Sequence, residues 1–545
     1  MSPIAAREPR VRRSQRTPPV APRGRARRLL GREAVGVFAT AYAFYAAVGL
    51  YTTLVLHVVV GDAESRLAHA FFVWWNEPAK LSAIGFVWPP VQTLVLLPLA
   101  LVRPFATSLA ALPLTSAVFG AGLLVLVDKA LAHGGVERRL RWAIVAAFGL
   151  NPLIVFYAGN GMAEIVFLYF LTAAFALLVR WTRDQRWQDP ILIGFAFGVG
   201  ILARYEVAAW LPLAVAGIAT VLARRRASAA RIEATLIATL TPVVYAVLLW
   251  VYLNWSLTGK PIAFFTEQVP GAAPLRSHGA SLVLDALVLQ LKIFPLTLAV
   301  AFVALWIGAR RRAPLGLVLG LALCVNPLTT AVLVLRARDP ILLQVRYNLR
   351  AVPLVLVAAA WLLGLVAPAR RRLAALALLA LLAASIPVTA ATMLRSEHVL
   401  SEGFFLDGLI HGRDQDGRVS PLGTRLSIRD EREMAAFVKR HVRGGDTVLT
   451  DDAATFGVML ADGHPARYFD RIDRGDRVWS EALRNPVGRA QYILVKRGAV
   501  RANAANAFDR IVERYPQLGR PNGPKFARLA HANRTFALYA IEGLR

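Results

Sequence analysis

Residues 57–90 read HVVVGDAESRLAHAFFVWWNEPAKLSAIGFVWPP, and this stretch decides how the rest of the chain is interpreted. A long apolar run ends at Val60, and Asp62 and Glu64 follow it at once. A loop rich in tryptophan and proline comes next. Carboxylates placed where a membrane helix meets water are costly to keep there, so they indicate a functional site.

The composition indicates a membrane protein with many spans. The chain has 545 residues, 56% of them hydrophobic, and its mean hydropathy of +0.49 is too high for a soluble protein. Apolar runs of about 20 residues, the length that crosses a bilayer, recur through most of the first 395 positions. Because helices of this length satisfy their own backbone in lipid, we expect an all-α membrane domain.

The formal net charge of +29 does not indicate a nucleic-acid partner. The arginines form short clusters between apolar runs, which is typical of the cytoplasmic loops of membrane proteins and favours contact with anionic membrane lipids. The one cysteine, Cys324, lies inside an apolar run, so we expect neither an intramolecular disulfide nor a cysteine-based metal site.

The positive-inside rule predicts a polytopic cell-membrane protein with a cytoplasmic N-terminus and an extracytoplasmic C-terminus. We predict a basic disordered tail at 1–33 and a transmembrane domain at 34–395 with a large first outer loop at 61–108. Strand and helix patterns alternate in 396–545, which predicts an extracytoplasmic soluble α/β domain. A short Pro-rich piece, 87–101, is expected to be re-entrant or juxtamembrane. The eleven predicted spans are 34–60, 109–131, 142–158, 162–180, two helices within 191–222, 234–253, 284–308, 314–335, 346–366 and 373–394.

Charged residues gather at the outer ends of these spans. The acids are Asp62, Glu64, Glu164 and Glu206. The basic residues at that level are Arg66, Arg204, Lys260, Arg336, Arg338, Arg346 and Arg350. Such a group predicts a polar cavity that opens outward and suits a phosphate-bearing substrate, with a carboxylate able to take a proton.

Most of these residues also have a simpler explanation. Asp62, Glu64 and Glu164 can stabilise the N-termini of the helices that follow them. Arg204 and Glu206 can pair where a helix breaks. The arginines at 336–350 run against the positive-inside trend, so they indicate an ordinary headgroup contact or a topology shifted by one span.

Taken together, the motifs resemble those of GT-C glycosyltransferases, with bacterial, actinobacterial-like members as the best match. They comprise a first span that ends in an acidic motif, a large Pro-rich first outer loop, the helix break Arg204-Tyr205-Glu206, and Arg346-Tyr347 late in the chain. The resemblance covers roughly 34–366. It implies a polytopic enzyme that takes a sugar from a polyprenyl-phosphate carrier on the outer face of the membrane.

The resemblance also implies roles for single residues. Asp62 matches the first-loop acid that acts as general base on the acceptor hydroxyl, and Glu64 completes an Asp-x-Glu catalytic pattern where many members have adjacent acids. Glu164 and Glu206 match the second acid, on the acceptor side. The residues expected near the carrier phosphate are Arg204, Lys260, Arg346, Tyr347 and Arg350.

We therefore predict an integral membrane glycosyltransferase that moves a sugar from a polyprenyl-phosphate donor to a hydroxyl of a glycan, lipid or protein acceptor. A flippase for lipid-linked sugars and a non-catalytic cell-envelope assembly protein are the alternatives. The acids lie on one side of the membrane and the chain has no two similar halves, which favours the enzyme. Some relatives use a divalent metal, but the outer acids are too few and too scattered to assign one.

Two other groups have a structural and a functional interpretation. Trp74, Trp75 and Trp88 could stack on sugar rings, or they could simply lie at the membrane interface. Thr450-Asp451-Asp452 and residues 469–474 each follow a predicted strand. They could line an acceptor groove or a metal site, whereas helix capping and local ion pairs are the simpler explanation.

Overall fold

The computed structural model describes residues 23–85, 88–262, 279–337, 344–395, 399, 401–419, 425–445, 447–497 and 509–542. Most of this length is α-helical, and a small sheet domain follows the helical part. The α-helices of the membrane part are Arg23–Leu54, Gly61–Trp75, Val91–Ala100, Arg103–Thr107, Ala111–His133, Arg138–Gly149, Pro152–Gly159, Ala163–Asp184, Gln188–Ala203, Leu211–Arg224, Ala229–Thr258, Gly279–Ile293, Leu296–Arg310, Pro314–Ala337, Val345–Asn348, Val352–Leu365 and Pro368–Arg395.

Eight helices in the described residues are long and apolar enough to cross a membrane. Two bent pairs also qualify if each pair is one span: Arg138–Gly149 with Pro152–Gly159, bent by 71°, and Leu284–Ile293 with Leu296–Arg310, bent by 102°. The remaining predicted span is the 16-residue helix Gln188–Ala203, which is shorter than the others. The polytopic helical fold class is confirmed, with eight to ten candidate spans where the sequence predicts eleven.

The first helix begins inside the segment for which the sequence predicts a disordered tail. It starts at Arg23, so residues 23–33 are helical. The prolines of the tail, which would interrupt a helix, all come before it, and the last is Pro22. Arginine and leucine, which favour helix, dominate the following turns.

Arginine-rich turns meet at one end of the helical bundle. Arg141 is buried there, and it donates to Asp128 at 2.6 Å and to Glu33 at 2.6 Å. Arg138 adds a second ion pair to Glu33 at 3.1 Å. A buried guanidinium between two carboxylates ties the first helix to its neighbours.

Arg141→Ala is expected to lower the free energy of unfolding by about 3 kcal/mol, because it leaves the buried Asp128 without its cation. Unfolding in detergent with increasing denaturant measures the change. Arg139→Ala removes an exposed arginine from the same turn and serves as the control. Equal stabilities of the two variants would contradict the prediction.

The helix Gly61–Trp75, called the loop helix below, starts the first outer loop. Trp74 Nε1 donates to the Leu97 carbonyl at 2.9 Å, and Trp75 Nε1 donates to the Ala100 carbonyl at 3.2 Å. These bonds fasten the loop helix to the short helix Val91–Ala100, which occupies the Pro-rich piece of the sequence. The indole N–H groups thus serve the fold, whichever ligand their rings contact.

The C-terminal domain is a five-stranded sheet with helices, as the alternating pattern predicts. Its strands are β1 Val448–Thr450, β2 Tyr468–Phe469, β3 Tyr492–Lys496, β4 Ala527–Ala532 and β5 Phe536–Ile541. The strand order is β2-β1-β3-β5-β4, in which β1 is parallel to β2 and β3, and β5 is antiparallel to β3 and β4. The domain contacts the end of the first helix through Gln415 N, which donates to the Leu56 carbonyl at 2.8 Å. The α-helices of the domain are Ser401–His411, Ile428–His441, Asp452–Asp462, Arg471–Arg474, Asp476–Arg484 and Arg510–Arg514.

Candidate active site

Arg346 brings together two acids that lie far apart in the sequence. Its Nη2 donates to Asp62 Oδ2 at 2.8 Å, and its Nε donates to Glu164 Oε1 at 3.2 Å. Asp62 belongs to the first turn of the loop helix, and Glu164 to the first turn of Ala163–Asp184. One planar guanidinium therefore fixes the relative position of both carboxylates.

Arg204 extends this network to a third acid. Its Nη1 donates to Glu164 Oε1 at 2.6 Å, and its Nη2 donates to Glu206 Oε1 at 2.7 Å. Arg350 Nη2 donates to the same oxygen of Glu206 at 3.0 Å. The sequence-based pairing of Arg204 with Glu206 is present, but it is one part of a larger buried network.

Tyr347 lies among the arginines of this network. The guanidinium carbons of Arg346, Arg204 and Arg350 are 5.2, 5.3 and 5.6 Å from the centre of its ring. These seven residues form the acid–arginine cluster: Asp62, Glu164, Arg204, Glu206, Arg346, Tyr347 and Arg350. All seven are sequence-predicted site residues.

Local backbone geometry explains how two members reach the cluster. Arg204 has φ −153° and ψ 123°, an extended conformation that interrupts the chain between Gln188–Ala203 and the 3-10 helix Tyr205–Trp210. Gly161 has φ +79°, a value that favours glycine, and it precedes the helix that carries Glu164. The interruptions of the helices at Arg204 and at Gly161 thus direct the side chains of Arg204 and Glu164 into the cluster.

Helix capping does not account for the acids. The residues before the two helices are Val60 and Met162, and neither helix has a side-chain cap. Asp62 and Glu164 lie within the first turns, where the helix dipole favours them, but their hydrogen bonds go to arginines of other elements.

Asp62 is the carboxylate best placed to meet a substrate. Its side chain is 27% exposed, whereas Glu164 is fully buried. Among the described residues, none donates to Asp62 Oδ1, while both oxygens of Glu206 accept hydrogen bonds from Arg204. Burial alone would raise the pKa of Asp62, but the guanidinium groups of Arg346 and Arg66 outweigh it and the pKa is lowered. Asp62 therefore offers an ionised oxygen to which no described residue donates.

Arg66 is a buried arginine. In the described part of the chain, no carboxylate forms a close ion pair with it. Its Nη1 donates only to the Asp62 carbonyl, at 3.5 Å, and its buried Nε has no hydrogen-bond partner there. Its guanidinium lies 5.2 Å from the ring centre of Trp88. A buried cation with unused donors is costly unless an anion binds it.

The structure does not bring Glu64 into the cluster. Residues two positions apart on a helix point in directions about 200° apart, so Asp62 and Glu64 cannot both face Arg346. Glu64 is buried instead against Glu431 of the C-terminal domain. The two acids of the predicted Asp-x-Glu pattern therefore lie in different places: Asp62 lies in the acid–arginine cluster, and Glu64 lies against the C-terminal domain.

Lys260 follows the end of the helix Ala229–Thr258. Its side chain is exposed, and its backbone N–H donates to Thr258 at the end of Ala229–Thr258. The Arg336 side chain and Arg338 lie outside the described residues. A carrier-phosphate role for these three residues remains a sequence-based prediction.

Two residues near the cluster were not predicted. Tyr157 Oη donates to Glu402 Oε1 at 2.6 Å, and both side chains are buried. The two are 245 positions apart, so no local pattern links them. The one available signal was an acid, Glu402, within the otherwise apolar start of the helix Ser401–His411.

One of the acids that follow a predicted strand of the C-terminal domain is engaged in local structure. Asp451 caps the helix Asp452–Asp462 by accepting from Ala453 N at 3.2 Å, and it pairs with Arg510 at 3.1 Å. No group of three or more His, Cys, Asp or Glu residues within the described ranges is arranged to hold a metal ion. For Asp451, capping and ion pairing account for its position.

The fold is similar to that of solved structures. No family model matches the chain, and no curated protein matches it. ArnT from Cupriavidus metallidurans in the apo state aligns with a TM-score of 0.52 and 14% identity, over 93% of this chain and 98% of its own. The same protein bound to undecaprenyl phosphate aligns with a TM-score of 0.53 and 13% identity, over 95% and 98%. The chain has the ArnT fold.

ArnT is a glycosyltransferase of the GT-C type, so the GT-C-like fold expected from the sequence is confirmed. The structural match to ArnT also extends further than the motifs do. The motifs cover roughly 34–366, whereas the alignment with ArnT spans at least 93% of this chain. The C-terminal domain therefore belongs to the shared architecture.

Proposed function

We propose that this protein is an integral membrane glycosyltransferase that takes its sugar from a polyprenyl-phosphate donor at the acid–arginine cluster. The observation that carries the proposal is that two groups lie within one turn of the same helix: Asp62, a partly exposed carboxylate with an oxygen that no described residue binds, and Arg66, a buried cation with no ion pair among the described residues. The ArnT fold supports it, because ArnT has been solved with undecaprenyl phosphate bound. The base and the anion site needed for glycosyl transfer would then lie on one helix.

The chemistry follows from these two groups. The acceptor hydroxyl attacks the anomeric carbon of the donor sugar, and its proton passes to Asp62 Oδ1. The bond between that carbon and the phosphate oxygen breaks, and the polyprenyl phosphate leaves with the electron pair. Arg66 stabilises the negative charge that develops on the phosphate. A single displacement of this kind inverts the anomeric configuration.

The other arginines have a supporting part in this proposal. Arg204, Arg346 and Arg350 already bind the acids of the cluster, so their main task is to hold Asp62 and Glu164 in position. Tyr347 carries a hydroxyl with no hydrogen bond to a described residue, which makes it a second donor for the phosphate. The arginine-rich turns lie at the helix ends opposite to those that carry the acid–arginine cluster. Because such turns mark the cytoplasmic side of a membrane protein, this placement favours an extracytoplasmic active site.

Sugar transfer in reconstituted liposomes tests the proposed function. Purified protein would be given a panel of polyprenyl-phosphate sugars, and both transfer and donor hydrolysis would be measured. Turnover of at least one donor is the expected result. Movement of the carrier across the bilayer without turnover of any donor would replace the enzyme with a flippase.

Arg66→Gln is expected to raise the KM for the donor at least tenfold, since a hydrogen bond to a charged group contributes about 1.5–3 kcal/mol. The kcat should fall as well if Arg66 stabilises the leaving phosphate. Arg103→Ala, which removes an arginine of the same loop that stacks on Trp75 at 3.9 Å, is the control. An unchanged KM in Arg66→Gln would move the phosphate site elsewhere.

A further inference from the structure

A carboxyl pair joins the membrane part of the chain to the C-terminal domain, and the proposed chemistry does not use it. Glu64 lies in the first turn of the loop helix, and Glu431 lies in the first turn of Ile428–His441. The two residues are 1% and 4% exposed, and their side chains are in hydrogen-bond contact. Carboxylates only accept hydrogen bonds, so one member of the pair must carry a proton.

No cation neutralises the pair at close range. Among the described residues, no Arg, Lys or His nitrogen lies within 4.0 Å of either carboxyl group. Lys496 of β3 and Arg432 act on Glu64 from further away, and Asp416 adds negative charge near Glu431. Burial raises the pKa of Glu64 to about 7, and it raises the pKa of Glu431 as well.

The surfaces around the pair are closely packed. Gly457 lies so near Glu431 that a Cβ on this glycine would be 2.4 Å from Glu431 Cδ. The ring of Phe456 lies 4.0 Å from the place of a Cβ on Gly61, the first residue of the loop helix. The first turn of the loop helix is thus held on one side by the C-terminal domain. On the other side, Arg346 holds Asp62 at 2.8 Å.

We propose that Glu431 is a positioning residue for Asp62, and that the C-terminal domain holds the first turn of the loop helix through the proton shared by Glu64 and Glu431. The inference rests on the proposed function, in which Asp62 accepts the proton of the acceptor hydroxyl. Glu431 does not touch the cluster. It acts through Glu64, which belongs to the same helical turn as Asp62.

The shared proton sets the direction of the pH dependence. Both carboxyl groups have a folded-state pKa above the ordinary value of 4.5. The pair therefore loses its first proton as the pH rises through about 7 and keeps the second, which the two carboxyl groups share, to higher pH, so the contact weakens in the alkaline range. Asp62 has a lowered pKa and stays ionised over this window. A decline of activity on the alkaline side then comes from the pair and not from the base.

The first test compares the pH profiles of wild type and Glu431→Gln. We expect the wild-type kcat to fall about tenfold as the pH rises from neutral into the alkaline range, with little change in KM, whereas the glutamine keeps a hydrogen bond without a titrating group and abolishes the fall. Glu64→Gln should do the same from the other side. Titration of the donor phosphate affects all variants equally and cancels in the ratio of each variant to wild type.

Glu433→Gln is the matched control, because Glu433 lies on the same helix and is 55% exposed. Its profile should follow the wild type. A wild-type profile in both Glu431→Gln and Glu64→Gln would overturn the positioning role.

A second measurement needs no transfer activity, so it separates a failure of this inference from a failure of the proposed function. The thermal unfolding midpoint of wild type should fall more steeply between about pH 5 and about pH 8.5 than that of Glu431→Gln. This comparison holds even if no donor is turned over. Equal slopes in the two proteins would overturn the shared-proton contact.

Discussion

Asp62→Asn is expected to lower the kcat of sugar transfer about a thousandfold, with the fold intact. Asparagine has nearly the same shape and can still accept the hydrogen bond from Arg346, but its amide oxygen is too weak a base to take the hydroxyl proton. The KM for the donor should change little, because Asp62 acts on the acceptor. Transfer from a radiolabelled donor in liposomes, with an unfolding midpoint for each variant, gives both quantities.

Glu77→Gln is the control for this prediction. Glu77 is exposed and lies on the same outer loop, so its replacement removes a negative charge at a distance from the cluster. Activity that survives in a well-folded Asp62→Asn would contradict the role of Asp62 and transfer the role of base to Glu164, the other acid that Arg346 binds.

Arg346→Lys should lower kcat about a hundredfold although it keeps the charge. The guanidinium of Arg346 reaches Asp62 with Nη2 and Glu164 with Nε, and an ammonium group cannot reproduce two such directed bonds. A loosely held Asp62 loses the geometry on which proton transfer depends. Steady-state kinetics at several donor concentrations would separate kcat from KM.

Arg311→Lys provides the matched comparison, since Arg311 is exposed and lies at the end of Leu296–Arg310. It should behave as wild type. If Arg346→Lys also behaves as wild type, the bridge between Asp62 and Glu164 does not orient the base.

The sequence allowed the membrane architecture and most of the cluster to be predicted. Apolar runs identify helices because burial in lipid demands them, and a charged tripeptide such as Arg204-Tyr205-Glu206 inside such a run needs a polar surrounding. Acids expected at one face, among them Asp62 and Glu164, do meet at one point. Because the two acids lie at the same place, a single arginine, Arg346, can bind both of them.

Other features depend on tertiary contacts that no local pattern contains. The direction of Glu64 depends on the rotation of the loop helix and on a domain that begins more than 300 residues later in the sequence. The bond between Tyr157 and Glu402 arises where two distant helices cross. Only the structure identifies Arg66 as a candidate anion-binding residue, because it shows that the nearby carboxylates bind other arginines.

The packing of the C-terminal domain on the loop helix has a consequence for how such chains can diverge. One face of the helix Ile428–His441 carries Glu431 and is constrained by the position of the base. The opposite face carries exposed residues such as Glu433, which pairs with His531 at 3.3 Å, and the proposed chemistry sets no requirement on it. Substitutions are therefore expected to accumulate on the opposite face and to spare the contact face, and a chimera that exchanges whole domains is expected to need a matching carboxyl pair to stay active.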